Sequence, residues 1–156
     1  MFRGIRSSSG NFISTLAFAI ILVTIFSVFI FPLLHQVPTV EVTDCSLTAN
    51  TITNNGLTAI TFTMKSNDKN ETHAMRVEFS SHPLVIFKLG SENLPTTNGV
   101  WYFTDNLGPT ASHTQSVNVQ AALESGIAKI DYSITINFLM EGTQIYSKNL
   151  DLTVQR

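Results

Sequence analysis

Charge is scarce in this chain. Asp, Glu, Lys and Arg make up 13% of its 156 residues, about half the usual share of roughly a quarter. The shortage is uneven. Residues 1–38 hold two charges, Arg3 and Arg6, both positive. Residues 39–156 hold seven Lys/Arg against eleven Asp/Glu, a net charge of −4. A nucleic-acid binder needs a positive face to neutralise phosphates, so that class is excluded. Cysteine is nearly absent: Cys45 stands alone, which excludes a disulfide-stapled miniprotein. Metal and redox spacings are missing as well, with no H-x-H, H-E-x-x-H or C-x-x-C. Apolar residues are not scarce. They form 44% of the chain, too many for a disordered tail.

Much of that apolar content lies in one run. No charge appears between Arg6 and Glu41, and within the gap runs Phe12–Leu34. Twenty-three residues at the helical rise give roughly 34 Å, enough to cross a hydrocarbon core. The run is too long for the apolar region of a cleavable signal peptide. It also exits through Phe31, Pro32, Leu33, Leu34 and His35 rather than a small-residue cleavage site. It reads as an uncleaved signal-anchor. Arg3 and Arg6 precede it, and Glu41 and Asp44 follow it. Positive flanks stay in the cytoplasm, so residues beyond the span are expected outside. Pro32 is read as the helix terminator at the outer interface, and Pro38 as keeping the exiting chain extended. Ser14, Ala17, Ile21, Thr24 and Val28 share one stripe of the helix. Its small members permit close helix–helix approach, or reflect ordinary membrane composition.

After residue 38 the pattern changes to period two. Ile60, Phe62 and Met64 alternate with polar residues, as do Met75, Val77 and Phe79. The clearest run is Ile130, Tyr132, Ile134, Ile136, Phe138 and Met140. Strict alternation is the signature of a strand with one wet face. Turn formers separate the runs: Asn54-Asn55-Gly56, Ser66–Asn70, Thr96–Gly99, Gly108-Pro109 and Glu141-Gly142. Strands are expected at about 39–48, 57–66, 73–80, 84–89, 100–104, 113–121, 129–140 and 143–155. Seven or eight short antiparallel strands in 118 residues predict an immunoglobulin-like sandwich. Tyr132 stands where such folds can use a tyrosine to bond an upstream backbone group. Plain core packing is the favoured reading here.

The chain shows no convergent catalytic set. His35, His73, His82 and His113 are scattered. A metal on His73, His82 and His113 would have to be assembled by folding, and none is expected. A cupredoxin copper site would want Cys, His and Met clustered late in the chain, whereas Cys45 is early. Cys45 reads as a buried thiol on the first strand; the rival is an intermolecular disulfide in an oxidising exterior. Asn67, Asp68, Asn70 and Glu71 form an oxygen-rich loop. It lacks the EF-hand pattern for calcium and reads as a solvated hairpin tip. Asn70-Glu71-Thr72 is the single N-x-S/T sequon, so Asn70 is a glycan acceptor if the domain lies outside.

Two resemblances extend this reading. Leu57–Ser66 ends in an Asn-rich turn, and Leu107-Gly108-Pro109 leads into an alternating Thr/Val strand. In these features residues 40–155 resemble prokaryotic immunoglobulin-like modules of the cell-adhesion-related type. Late-embryogenesis-type sandwiches behind a membrane anchor share the outline. The amino terminus, with Arg3, Arg6 and Gly10 before Asn11-Phe12, resembles archaeal type IV pilin-like proteins, including archaellum stator components. The glutamate of bacterial pilins is absent from the start of the apolar run. The pilin version implies cleavage after Gly10 and helices packed on copies of themselves. The stator version implies no cleavage and an outer domain that grips the surface layer.

The expected organisation is a basic cytoplasmic segment at 1–11, a transmembrane helix at 12–34, a linker at 35–38 and an extracellular all-β sandwich at 39–156. The expected work is non-catalytic assembly at the cell membrane, without cofactor or metal. The expected partners are the lipid bilayer, other membrane or surface proteins such as surface-layer protein, and copies of the chain itself. The rival class is an accessory single-pass subunit of a membrane enzyme complex.

Overall fold

The computed structural model describes residues 18–25 and 38–156. The chain divides between Val37 and Pro38. Residues 18–25 are helical with exposed side chains. Thr24 closes its hydroxyl within this helix by donating to the Ile20 carbonyl at 2.8 Å, and Ile21 lies in it too. Among the described residues, no helix is long and apolar enough to cross a membrane. Arg3, Arg6, Gly10, Ser14, Ala17, Val28, Pro32 and both ends of the expected 12–34 span lie outside the described residues.

The second unit is a two-sheet, all-β sandwich. Its long strands are β1 (Val40–Leu47), β3 (Leu57–Ser66), β4 (His73–Ser80), β5 (Val85–Leu89), β8 (Val100–Leu107), β9 (Ser112–Ala121), β10 (Lys129–Met140) and β11 (Thr143–Gln155). These are the eight strands the alternation predicts. Three short ones escaped the sequence: β2 (Thr51–Thr53), β6 (Glu92–Asn93) and β7 (Thr96–Thr97). Two or three residues are too few to show a period.

One sheet runs β1-β3-β9-β5-β6, the other β2-β11-β10-β4-β8-β7. All pairings are antiparallel except β2 with β11. The long strands are arranged in space like A-B-E-D and G-F-C-C′ of immunoglobulin sandwiches. The chain order departs from that pattern. After β4 the chain crosses to the first sheet as β5 and β6, then returns through Leu94 and Pro95 to form β7 and β8.

The inward residues of both sheets make one core. Phe62, Phe79, Phe87, Val117, Val119, Ile134, Ile136 and Phe138 are wholly buried. Phe62 on β3 meets Phe138 on β10 edge to face, with centroids 5.0 Å apart. Phe79 on β4 stacks on Phe87 of β5 at 5.1 Å. Each buried side chain contributes roughly 1.5–3 kcal/mol. A one-residue slip in any of these strands would turn its apolar set to water, so the core sets the registers.

Turn chemistry sets the hairpins. Glu141 and Gly142 have φ of 52° and 82°, and Asn98 and Gly99 have 51° and 78°. A two-residue hairpin turn of the I′ kind needs positive φ at both central positions. The first pair joins β10 to β11 and the second joins β7 to β8.

Candidate functional site

The crossing segment between β5 and β8 leaves a groove. Its apolar lining is Leu89, Leu94, Pro95 and Phe103, its polar lining is Glu92, Asn93, Tyr102 and Thr104, and it holds about 320 Å³. Leu94 is pinned by donating its N–H to the Phe87 carbonyl at 2.9 Å. Pro95 accepts from the Tyr102 N–H at 3.0 Å. Proline has no N–H to return, so the β7–β8 ladder stops there. Beyond that point β8 is the edge strand among the described residues. Tyr102 also carries the Arg76 guanidinium over its ring, 3.9 Å from the centroid. Arg76 in turn bonds Glu78 at 2.8 Å.

The same strand carries a charge on its core face. Asp105 lies opposite Met75, which is buried. Its Oδ2 is 2.8 Å from His113 Nδ1 on β9, in the other sheet, and its Oδ1 accepts the Asn106 N–H at 2.8 Å. This contact clasps the two sheets at their open side. On the opposite edge Lys148 of β11 lies across from buried Ile136. Such an inward charge on an edge strand, unpartnered among the described residues, opposes uncontrolled sheet-to-sheet pairing there.

At one end of the sandwich His73 is 4% exposed. Its Nε2 is 3.5 Å from Asp68 Oδ2 and its Nδ1 is 3.5 Å from Glu141 Oε1. At that distance neither contact meets hydrogen-bond geometry, and among the described residues both ring nitrogens lack a partner. The carboxylates lie against opposite ring nitrogens, so one metal ion cannot touch all three groups. Asp68 also accepts the N–H groups of Asn70 and Glu71 at 2.8 and 3.2 Å. Those two bonds, and His73 after them, hold its carboxyl below the usual range. The oxygen-rich loop is thus a local turn organised on Asp68. Asn70 is exposed within it. The loop sits where the chain enters the domain, since the Asn67 side-chain amide donates to the Pro38 carbonyl at 3.0 Å.

At the other end the reading of Tyr132 is corrected. Tyr132 is 3% exposed, and its hydroxyl donates to the Ala122 carbonyl at 2.7 Å. It does bond back to the upstream backbone, because a buried hydroxyl must find an acceptor. Burial, with Glu124 nearby, pushes its hydroxyl pKa up. His82 stacks on its ring at 5.2 Å and lies 3.6 Å from Glu124.

The three histidines therefore lie at different places: His73 under the 141–142 turn, His82 on Tyr132, and His113 in the inter-sheet clasp. Among the described residues no group of three or more His, Cys, Asp or Glu is arranged to hold a metal. Cys45 is a free, half-buried thiol in a β-bulge where β1 slips register between Thr43 and Ser46. Burial pushes its pKa up to about 11 against the opposing pull of Lys148. The groove and the Asp105–His113 clasp were not anticipated from the sequence. Pro95 ahead of the Asn98-Gly99 turn was the available signal, since it marks a hairpin that must end early.

No protein-family model matches the chain, and no curated sequence does. Solved structures resemble it at low identity. The alkylpurine DNA glycosylase AlkC of Pseudomonas fluorescens, bound to DNA containing an abasic-site analogue, shares 12% identity at a TM-score of 0.48; the match covers 76% of this chain and 31% of that one. Spo0M, a sporulation control protein of Bacillus subtilis, shares 11% at 0.47, over 77% and 51%. A PapD-like domain of human CEP192 shares 12% at 0.37, over 77% and 88%. The chain spans about a third and half of the first two. At these scores none bears on what this chain does, and the architecture rests on its own strands and registers.

Proposed function

We propose that this is a non-catalytic, single-pass membrane protein whose immunoglobulin-like sandwich faces the exterior and binds other proteins. The observation that carries the reading is the groove, part apolar and part polar, beside the unfinished edge of β8. Grooves with apolar walls and a few polar groups are where proteins receive ligands and partners. The apolar run Phe12–Leu34, with Arg3 and Arg6 before it, supports the anchor and its direction. The work is assembly, in the form of an archaellum stator, a pilin-like filament or an envelope component. Surface-layer protein, other membrane proteins or copies of the chain are its partners. Asn70, exposed on its turn, is the glycan acceptor.

Purification of the tagged full chain from native membranes tests this. It should pellet with filaments or surface layer. Co-migration with redox or transport subunits would instead establish the accessory-subunit reading.

A further inference from the structure

Resting on that protein-binding reading, we propose the binding mode: an extended segment of a partner protein adds to β8 as the next strand and seats one apolar side chain in the groove. The Tyr102 N–H points away from β4, because it donates to Pro95. Strand geometry then aims the N–H and C=O of Thr104, two residues on, in the same direction. β7 cannot meet them. Its pairing with β8 covers Val100 and Trp101 and ends there, and Pro95 has no N–H for the Tyr102 carbonyl. The Asn106 N–H is already taken by Asp105. Among the described residues this leaves the Tyr102 carbonyl, both backbone groups of Thr104 and the Asn106 carbonyl without a ladder partner. The groove lies against this stretch, with Tyr102, Phe103 and Thr104 forming one wall.

A row of unpaired backbone groups beside a pocket with apolar walls at Leu89, Leu94, Pro95 and Phe103 suits an extended peptide. Main-chain bonds supply the attraction, and alternate side chains supply the selectivity. The acidic balance narrows the choice. Glu92 is the one ionisable carboxylate lining the pocket, and residues 39–156 carry −4. The occupant is therefore an apolar-anchored strand that is neutral or basic, not acidic. The inward charge on Asp105 does not bar it, since His113 already partners that carboxylate.

The test uses the full chain in lipid nanodiscs. Its single tryptophan, Trp101, lies on β8 next to Tyr102 and reports occupancy by fluorescence. The probe is a seven-residue peptide of alternating Thr and Leu flanked by Lys. Two further versions carry N-methyl groups on one edge or on the other. Only one edge can face β8, so one N-methylated peptide should bind like the parent. The other should bind at least about tenfold more weakly. Thr104→Pro deletes an N–H that no strand uses among the described residues, and should weaken the parent peptide by a similar factor.

Equal binding of both N-methylated peptides, or no saturable response to the parent, overturns the proposal. A Trp101 change that follows protein concentration without peptide overturns it in favour of pairing between two copies. A chain that ignores the peptide yet still pellets with surface layer loses only the binding mode. A chain that binds the peptide but purifies alone from native membranes loses the wider reading.

Discussion

A tyrosine hydroxyl brought into a core needs an acceptor, and Tyr132 has the Ala122 carbonyl at 2.7 Å. Tyr132→Phe removes the donor and strands the carbonyl. The expected loss is about 1–3 kcal/mol, measured by chemical denaturation of the full chain in detergent. Asp68 shows the opposite kind of local control. The N–H groups of Asn70 and Glu71, then His73, hold its carboxyl below the ordinary range. Those partners are gone in the unfolded chain, so the folded state binds fewer protons there. The resulting stability is present above the unfolded Asp range and is lost as pH falls through the lowered value. Asp68→Asn should therefore flatten the stability curve below about pH 4. An acid limb as steep as the parent's would remove Asp68 from that account.

At the scale of elements, turns and edges decide more than the strands themselves. β10 and β11 pair over their whole length with one bulge near Phe138, and the Glu141-Gly142 turn sets where that pairing begins. Gly142→Ala places a Cβ on a backbone with φ of 82°. Space is not the obstacle there; the left-handed backbone is. The substitution should cost about 1 kcal/mol or more and lower the thermal midpoint without changing the sheet spectrum. The edges are managed differently along their length. Asp105 and Lys148 place charges on the core face of β8 and β11, while Pro95 ends β7 and leaves a short stretch of β8 open.

Across the whole molecule the decisive question is direction. Two positive residues precede the apolar run and acidic residues follow it, so the sandwich should be reached from outside. Protease added to intact cells should remove residues beyond about 38 and leave the amino terminus protected. Digestion that occurs only after lysis would reverse the topology. The sequon at Asn70 supplies a second readout, because a glycan there requires an exterior domain.

The eight long strands and most of their faces were legible before folding. Alternation is a local property, and a residue such as Ile134 must point inward whatever its neighbours in space. The sequence also announced the hairpin turns, because Asn98-Gly99 and Glu141-Gly142 state their backbone needs locally. Tertiary structure alone decided which strands became neighbours. β5 lies next to β9 and β8 next to β4, pairings between residues more than twenty positions apart. It decided that Tyr132 would reach Ala122, that Asp105 would meet His113, and that the three histidines would stay apart. It made the groove, because Leu94 and Pro95 become a wall only when the chain crosses between sheets. Such sites are built from long-range encounters, and periodicity carries no information about them.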